Sequence, residues 1–263
     1  METPRLVASD VDGTLLGLNE RVSDRTAAVV SRVLATETPF VLVTGRPPRW
    51  VPIVAEQAGL QGYAVCANGA VLYDIGRDEV VWQQTLGPVE LNDIAHALGT
   101  VLPGVTFATE RVGDEPTFLA EHDYLHAWAE NSARYSRAEV FGFPAVKMLV
   151  RLPGMHSSEM TEAATAVLGD EVTITYSTGN GLIEIARAGV TKATGLADVA
   201  ARFGVEAADV IAFGDMPNDV PMLGWAGHGV AMANAHQDAL DAADEVTASN
   251  EEDGVAQLLE RWF

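Results

Sequence analysis

The chain has 263 residues, 48% of them hydrophobic and 20% charged, which excludes a disordered chain, a collagen-like chain and a disulfide-stapled miniprotein. Sixteen basic against thirty-seven acidic residues leave a net charge of −21, which repels phosphate backbones and anionic lipid, so neither a nucleic acid nor a membrane is expected as partner. The single cysteine, Cys66, cannot form an internal disulfide, and in the apolar run YAVCAN it reads as a small core residue.

In chain order, RLVASD reads as a buried first strand, and Ser23 is placed to cap a helix carrying Val29, Val30, Val33 and Leu34. PFVLVT is the next strand, Pro47 and Pro48 open another helix, and YAVCAN is the third strand. From GAVLYD onward the pattern changes to a hairpin-like pair of strands. A helix from about Pro88 follows, then mixed strands and helices as far as LIEIAR. This reads as an inserted second unit, joined by short crossings near residues 83–87 and 186–190. After Gly189 the strand and helix alternation resumes with a helix (Leu196, Val199, Ala200, Phe203). The strand DVIAFG, a short helix, a strand at GVAMA and a terminal helix follow. The expected fold class is α/β. A doubly wound, Rossmann-like parallel-sheet core comprises residues 1–82 and 187–263, and an inserted α+β unit comprises 83–186. METPRLVASD lacks a basic start followed by an apolar stretch, and no window is long and apolar enough to cross a bilayer. A cytoplasmic location is the resulting expectation.

Four segments carry chemistry. ASDVDGTLL sets Asp10 and Asp12 at the exit of the first strand, at the sheet edge where open parallel sheets bind ligands. A calcium loop would need Gly and Glu where this chain has Leu15 and Arg21. VLVTGRPP ends the second strand with Thr44, Gly45 and Arg46 ahead of a helix N-terminus that favours anions. Lys192, in AGVTKATG, is one of only two lysines against fourteen arginines. It is read either as a phosphoryl-binding ammonium or as a solvated helix-start lysine. DVIAFGDMPND brings Asp215, Asn218 and Asp219 to the end of a later strand. Four carboxylates at one edge repel unless a cation sits among them, and an all-oxygen donor set selects magnesium over zinc. His122 and His126 are four apart, but without a third ligand they read as a polar helix face. No P-loop and no G-x-S-x-G is present.

Taken in this order, DVDGT, TGR, TK and GDMPND resemble the motifs of the haloacid dehalogenase superfamily of aspartate-nucleophile phosphotransferases. The roughly hundred-residue insertion between TGR and TK resembles the large α/β cap of its Cof-type sugar and cofactor phosphatases, and NGA at Asn68 matches a segment of the same subgroup. The resemblance implies a hydrolase of phosphoric monoesters in which Asp10 is the nucleophile and Asp12 the general acid and base. Thr44, Gly45 and Lys192 would bind the phosphoryl oxygens, and Arg46 and Asn68 are candidate substrate contacts. It further implies Mg²⁺ held by Asp10, the Asp12 main-chain carbonyl and Asp215, supported by Asn218 and Asp219. A phosphomutase, or a non-catalytic metabolite-binding protein on the same fold, is the alternative. A dehalogenase would not need Asp12, and a receiver domain is about half this length. The substrate is expected to be a small phosphorylated metabolite selected by the cap. Residues 83–186 hold 5 basic and 14 acidic residues, a balance that hardly favours a polyanion.

Overall fold

The computed structural model describes residues 2–113, 115–125 and 134–263. They form two compact units, residues up to Trp82 with Thr191–Phe263 in one and Gln83–Val190 in the other.

The first stretch of chain supplies strands β1 (Leu6–Ser9), β2 (Phe40–Val43), β3 (Tyr63–Cys66), β4 (Val71–Asp74) and β5 (Glu79–Gln83). The inserted stretch supplies β6 (Thr106–Glu110), β7 (Phe118–Glu121), β8 (Arg134–Tyr135), β9 (Lys147–Arg151), β10 (Val172–Thr175) and β11 (Leu182–Arg187). Finally come β12 (Val210–Gly214), β13 (His228–Ala231) and β14 (Glu245–Val246).

Among the described residues the first unit has one sheet, ordered β14-β13-β12-β1-β2-β3-β4-β5. Every residue of β1, β2 and β12 is buried, as expected of parallel strands covered on both faces. β1 lies between β12 and β2 and is parallel to both. The strand order therefore reverses at β1, which makes its C-terminal end the switch point where such sheets bind ligands. The hairpin opened by GAVLYD does not begin the inserted unit. β4 runs antiparallel to β3 and buries Val71, Leu72 and Tyr73, so the sheet is mixed, with antiparallel strands added without a crossover at that edge.

Two helices show how the sequence pattern works. In Asp24–Ala35, Ser23 accepts the Thr26 N–H at 3.0 Å. Thr26, Val29, Val30 and Val33 are buried, whereas Leu34 is only partly covered. Lys192–Phe203 is capped by Thr191, whose hydroxyl accepts the Thr194 N–H at 3.2 Å. Its Leu196, Val199 and Ala200 are buried, while Phe203 at the helix end stays exposed against Tyr63.

Among the described residues the inserted unit has an antiparallel sheet ordered β10-β11-β9-β6-β7-β8, in which the β7 and β8 pair is parallel. Period-two alternation puts Phe107, Met148, Val150, Ile183 and Ile185 into one core with Leu91, Leu98 and Met160 of the helices Pro88–Val101 and Ser157–Leu168. Among the described residues no helix is long and apolar enough to cross a membrane.

Candidate active site

Register brings the first and last motifs together. Ser9 lies opposite Phe213 on one side and Leu42 on the other, and the Asp10 N–H donates to the Phe213 carbonyl at 2.9 Å. The chain thus leaves β1 and β12 side by side, and Asp10, Asp215, Asn218 and Asp219 are all buried at that edge. The two loops touch through Gly13. Its φ is +76°, and a Cβ there would collide with the Asp215 carboxylate, so glycine is required on both counts. Beside it, Thr14 Oγ1 donates to Asp215 Oδ1 at 2.8 Å.

Lys192 is not a solvated helix-start residue. Its side chain is fully buried, with Nζ 2.7 Å from Asp10 Oδ1 and 2.6 Å from Asp219 Oδ1. The other oxygen of Asp219 accepts the backbone N–H groups of Asp215 at 3.0 Å and Met216 at 2.9 Å. Asp219 therefore fixes both the lysine and the turn that carries Asp215. Gly214 permits this closeness, since a Cβ on it would run into the Asp219 side chain.

The charges at this edge do not balance. Burial raises the Asp10 carboxyl well above its ordinary range, and the negative charge of Asp219 adds to this while Lys192 opposes it. Burial likewise pushes Asp215 up to about 7 with Asp219 contributing, against the Thr14 hydrogen bond and Lys192. Burial alone would lower the Lys192 ammonium, but Asp10 and Asp219 outweigh it and hold it above its usual value. Buried carboxylates that share one ammonium are ionised together only with further positive charge, which a bound cation would supply.

The donor set fits a hard divalent ion. Asp10, Asp215 and Asp219 each offer an oxygen within 4.8 Å of the others. On the same turn, the Asn218 amide oxygen is buried without a hydrogen-bond partner, and oxygens alone suit magnesium. Because Asp219 is committed to Lys192 and two amides, Asp10 and Asp215 are the carboxylates open to an ion.

Thr44 is buried at the end of β2, where its Oγ1 accepts the Arg46 N–H at 3.0 Å. Its carbonyl accepts the Asn68 N–H at 3.0 Å. Asn68 sits at φ 56°, a left-handed conformation that Asn tolerates better than most residues. Its Oδ1 accepts from Asn218 Nδ2 at 3.1 Å and closes on Gly45, where a Cβ would lie 3.1 Å away. The loop after β3 is thereby tied to the Asp215 turn. Asp12 differs from the other site carboxylates, with a side chain 57% exposed. Arg46 grips it through Nε at 2.8 Å and Nη2 at 2.5 Å, and that bond raises the guanidinium pKa further.

Sequence reasoning missed Asn234 and Asn250. Asn234 Nδ2 donates to the Gly13 carbonyl at 2.9 Å, its Oδ1 accepts the Asn250 N–H at 3.0 Å, and Asn250 Nδ2 donates to the Leu16 carbonyl at 2.8 Å. The available signal was an Asn just past GVAMA, on the strand beside β12. His122 lies in an exposed turn after β7 rather than on a helix, and His126 falls outside the described residues. Cys66 is fully buried and burial pushes its thiol up, away from reactivity.

The chain matches the haloacid dehalogenase-like hydrolase family over residues 7–259, and it belongs to that family. It is 30% identical to 5-amino-6-(5-phospho-D-ribitylamino)uracil phosphatase YitU of Bacillus subtilis, over 100% of this chain and 99% of that one. It is 29% identical to HMP-PP phosphatase of Serratia proteamaculans, over 98% and 95%. Among solved structures, a haloacid dehalogenase-like hydrolase from B. subtilis has a TM-score of 0.83 at 22% identity, covering 98% of this chain and 100% of that one. A subclass IIB sugar phosphatase has a TM-score of 0.81 at 22% identity, covering 98% of each chain. These two share the fold. Within its family the chain is an enzyme, a phosphatase acting on phosphomonoesters.

Proposed function

We propose that this phosphatase is Mg²⁺-dependent and hydrolyses a small phosphorylated metabolite, a sugar phosphate or a phosphorylated cofactor, through a phosphoaspartate on Asp10. The observation that carries this reading is the wholly buried Lys192 ammonium between Asp10 and Asp219, with Asp12 exposed beside them. A carboxylate oxygen of Asp10 attacks phosphorus in line, forming the new O–P bond as the ester O–P bond breaks. Asp12 gives its proton to the departing alkoxide. Asp12, now a carboxylate, takes a proton from water, whose oxygen displaces Asp10 and yields orthophosphate. Lys192, the Thr44 hydroxyl and the Gly45 N–H hold the phosphoryl oxygens, placing positive charge and donors where negative charge concentrates. A magnesium ion held by Asp10, the Asp12 main-chain carbonyl and Asp215 would supply charge neutralisation at the phosphoryl oxygens. Asn218 and Asp219 support that ligand set.

The inserted residues 83–186 serve in this reading as the cap that selects the leaving group, and the protein works in the cytoplasm. The relatives suggest the first compounds to try, a phosphoribitylamino-pyrimidine and HMP-PP. The test is phosphate release from a panel of phosphorylated metabolites, run with Mg²⁺ and with EDTA. Metal-dependent turnover of at least one monoester is expected. Full turnover in EDTA, or no hydrolysis of any member, would overturn the reading.

A further inference from the structure

We propose that Arg46 is a positioning residue for Asp12, acting on the reaction through that carboxylate rather than by holding the phosphoryl group. The inference rests on the acid and base role of Asp12 given above.

Three observations point this way. First, the contact is a fork: Nε lies 2.8 Å from Oδ2 and Nη2 lies 2.5 Å from Oδ1, a two-point grip that fixes the carboxylate plane as a single donor cannot. Secondly, the partners are unequal, because the Arg46 side chain is 16% exposed and that of Asp12 57%. Arg46 is anchored through its backbone as well, its N–H donating to Thr44 Oγ1 and its carbonyl accepting the Ala67 N–H, both at 3.0 Å. The donor is thus built into the end of β2 and the carboxylate is the adaptable partner. Thirdly, among the described residues Arg46 is the only group hydrogen-bonded to the Asp12 carboxylate. The Asp12 backbone is extended (φ −78°, ψ 123°) and runs into left-handed Gly13, so regular helical bonding does not fix the side chain. An exposed carboxylate has rotamer freedom to lose, and acid–base transfer needs it held at hydrogen-bond reach of the reacting oxygens. Arg46 provides that restraint.

The test separates the two steps. With nitrophenyl phosphate and Mg²⁺, phosphoenzyme formation needs no proton from Asp12, whereas its hydrolysis needs Asp12 as base. For Arg46→Met we expect the nitrophenolate burst to keep its rate within about twofold while steady-state turnover falls by about tenfold or more, as expected for a group acting in one step only. Inhibition by inorganic phosphate should shift by less than about twofold, and adding Arg46→Met to Asp12→Ala should lower steady-state turnover by less than about twofold beyond Asp12→Ala alone, the signature of two residues acting as one. Arg46→Lys keeps the charge without the fork and should behave like the Met variant. Burst amplitude counts competent sites, so misfolded protein is recognised by its loss. A slowed burst with weakened phosphate inhibition would assign Arg46 to the phosphoryl group instead, and full rescue by Lys would remove the need for a fork. Normal sugar-phosphate turnover by Asp12→Ala alone would instead overturn the acid–base reading, an outcome seen without touching Arg46.

Discussion

Two loops leave adjacent strands at the same edge of the sheet, and they treat their carboxylates in opposite ways. In the turn after β12, Asp219 has no exposed side-chain surface and accepts from one ammonium and two amides. In the loop after β1, Asp12 is more than half exposed and is held by one guanidinium. A saturated carboxylate holds its neighbours in place and has nothing left to offer a substrate, whereas an exposed one can change partners. The contrast separates an aspartate whose oxygens are all committed from one whose carboxylate is open to solvent, with Asp10 and Asp215 between these extremes, buried but each with one oxygen bonded to a side chain.

The largest effect is expected at the rigid loop. Asp219→Ala leaves Lys192 paired with Asp10 alone and orphans the buried Asp215 N–H and the partly buried Met216 N–H, so it should destabilise the fold by about 2–5 kcal/mol, at about 1–3 kcal/mol for each donor left unsatisfied. Chemical denaturation measures this, and a loss under about 1 kcal/mol would dissolve the contrast, since that is the scale of an exposed pair.

Lys192→Met comes next. Turnover should fall by about 10²–10³, the scale for removing a donor at the developing charge. Burial of the lysine between two carboxylates means that stability should fall as well, and that Mg²⁺ should recover part of it in a melting experiment. Unchanged kinetics would contradict the role.

A smaller effect concerns pH and metal. The Asp215 carboxyl titrates near 3.8 when unfolded and at about 7 when folded, so between these values the folded state holds the extra proton. Its contribution to stability is therefore complete below 3.8 and is lost as pH rises through about 7. Partly buried carboxylates such as Glu245, held down by its Arg261 hydrogen bond, act in the opposite sense. The gain in melting temperature from Mg²⁺ is the cleaner readout, and it should be larger at pH 8 than at pH 5. An equal or reversed gain would contradict the charge imbalance. The smallest change is Asn234→Ala, which removes the bond to the Gly13 carbonyl and the acceptor of the Asn250 N–H. It should cost about 1–2 kcal/mol, the scale of two hydrogen bonds, and lower kcat more than it alters KM.

Much of this was legible in the sequence, for physical reasons. β1, β2 and β12 are buried on both faces, so each reads as a short apolar run, and the residues following such runs in a parallel sheet share one edge. Local pattern could not say which sheet the GAVLYD hairpin joins, since two antiparallel strands look alike at either edge. Leu34 and Phe203 continue a helical stripe but lie in the last turn of their helices, where packing gives out. The burial of Lys192 depends on Asp10 and Asp219, 182 and 27 positions away. The Arg46 grip on Asp12 and the Asn234 brace under Gly13 depend likewise on loops that meet only after β13, β12, β1 and β2 are aligned.

The central claim is that Asp10 forms the bond to phosphorus while Asp12 moves the proton. Rapid-quench measurement of Asp12→Ala with nitrophenyl phosphate and Mg²⁺ tests it most directly, because nitrophenolate leaves without a proton. The account predicts a burst of nitrophenolate equal to the enzyme present, a phosphoryl group retained on Asp10, and then a stall for want of a base. Asp10→Ala should give no burst. If Asp12→Ala loses the first turnover of nitrophenyl and sugar phosphates equally, Asp12 serves to shape the loop or the metal site, and its assignment as acid and base is contradicted.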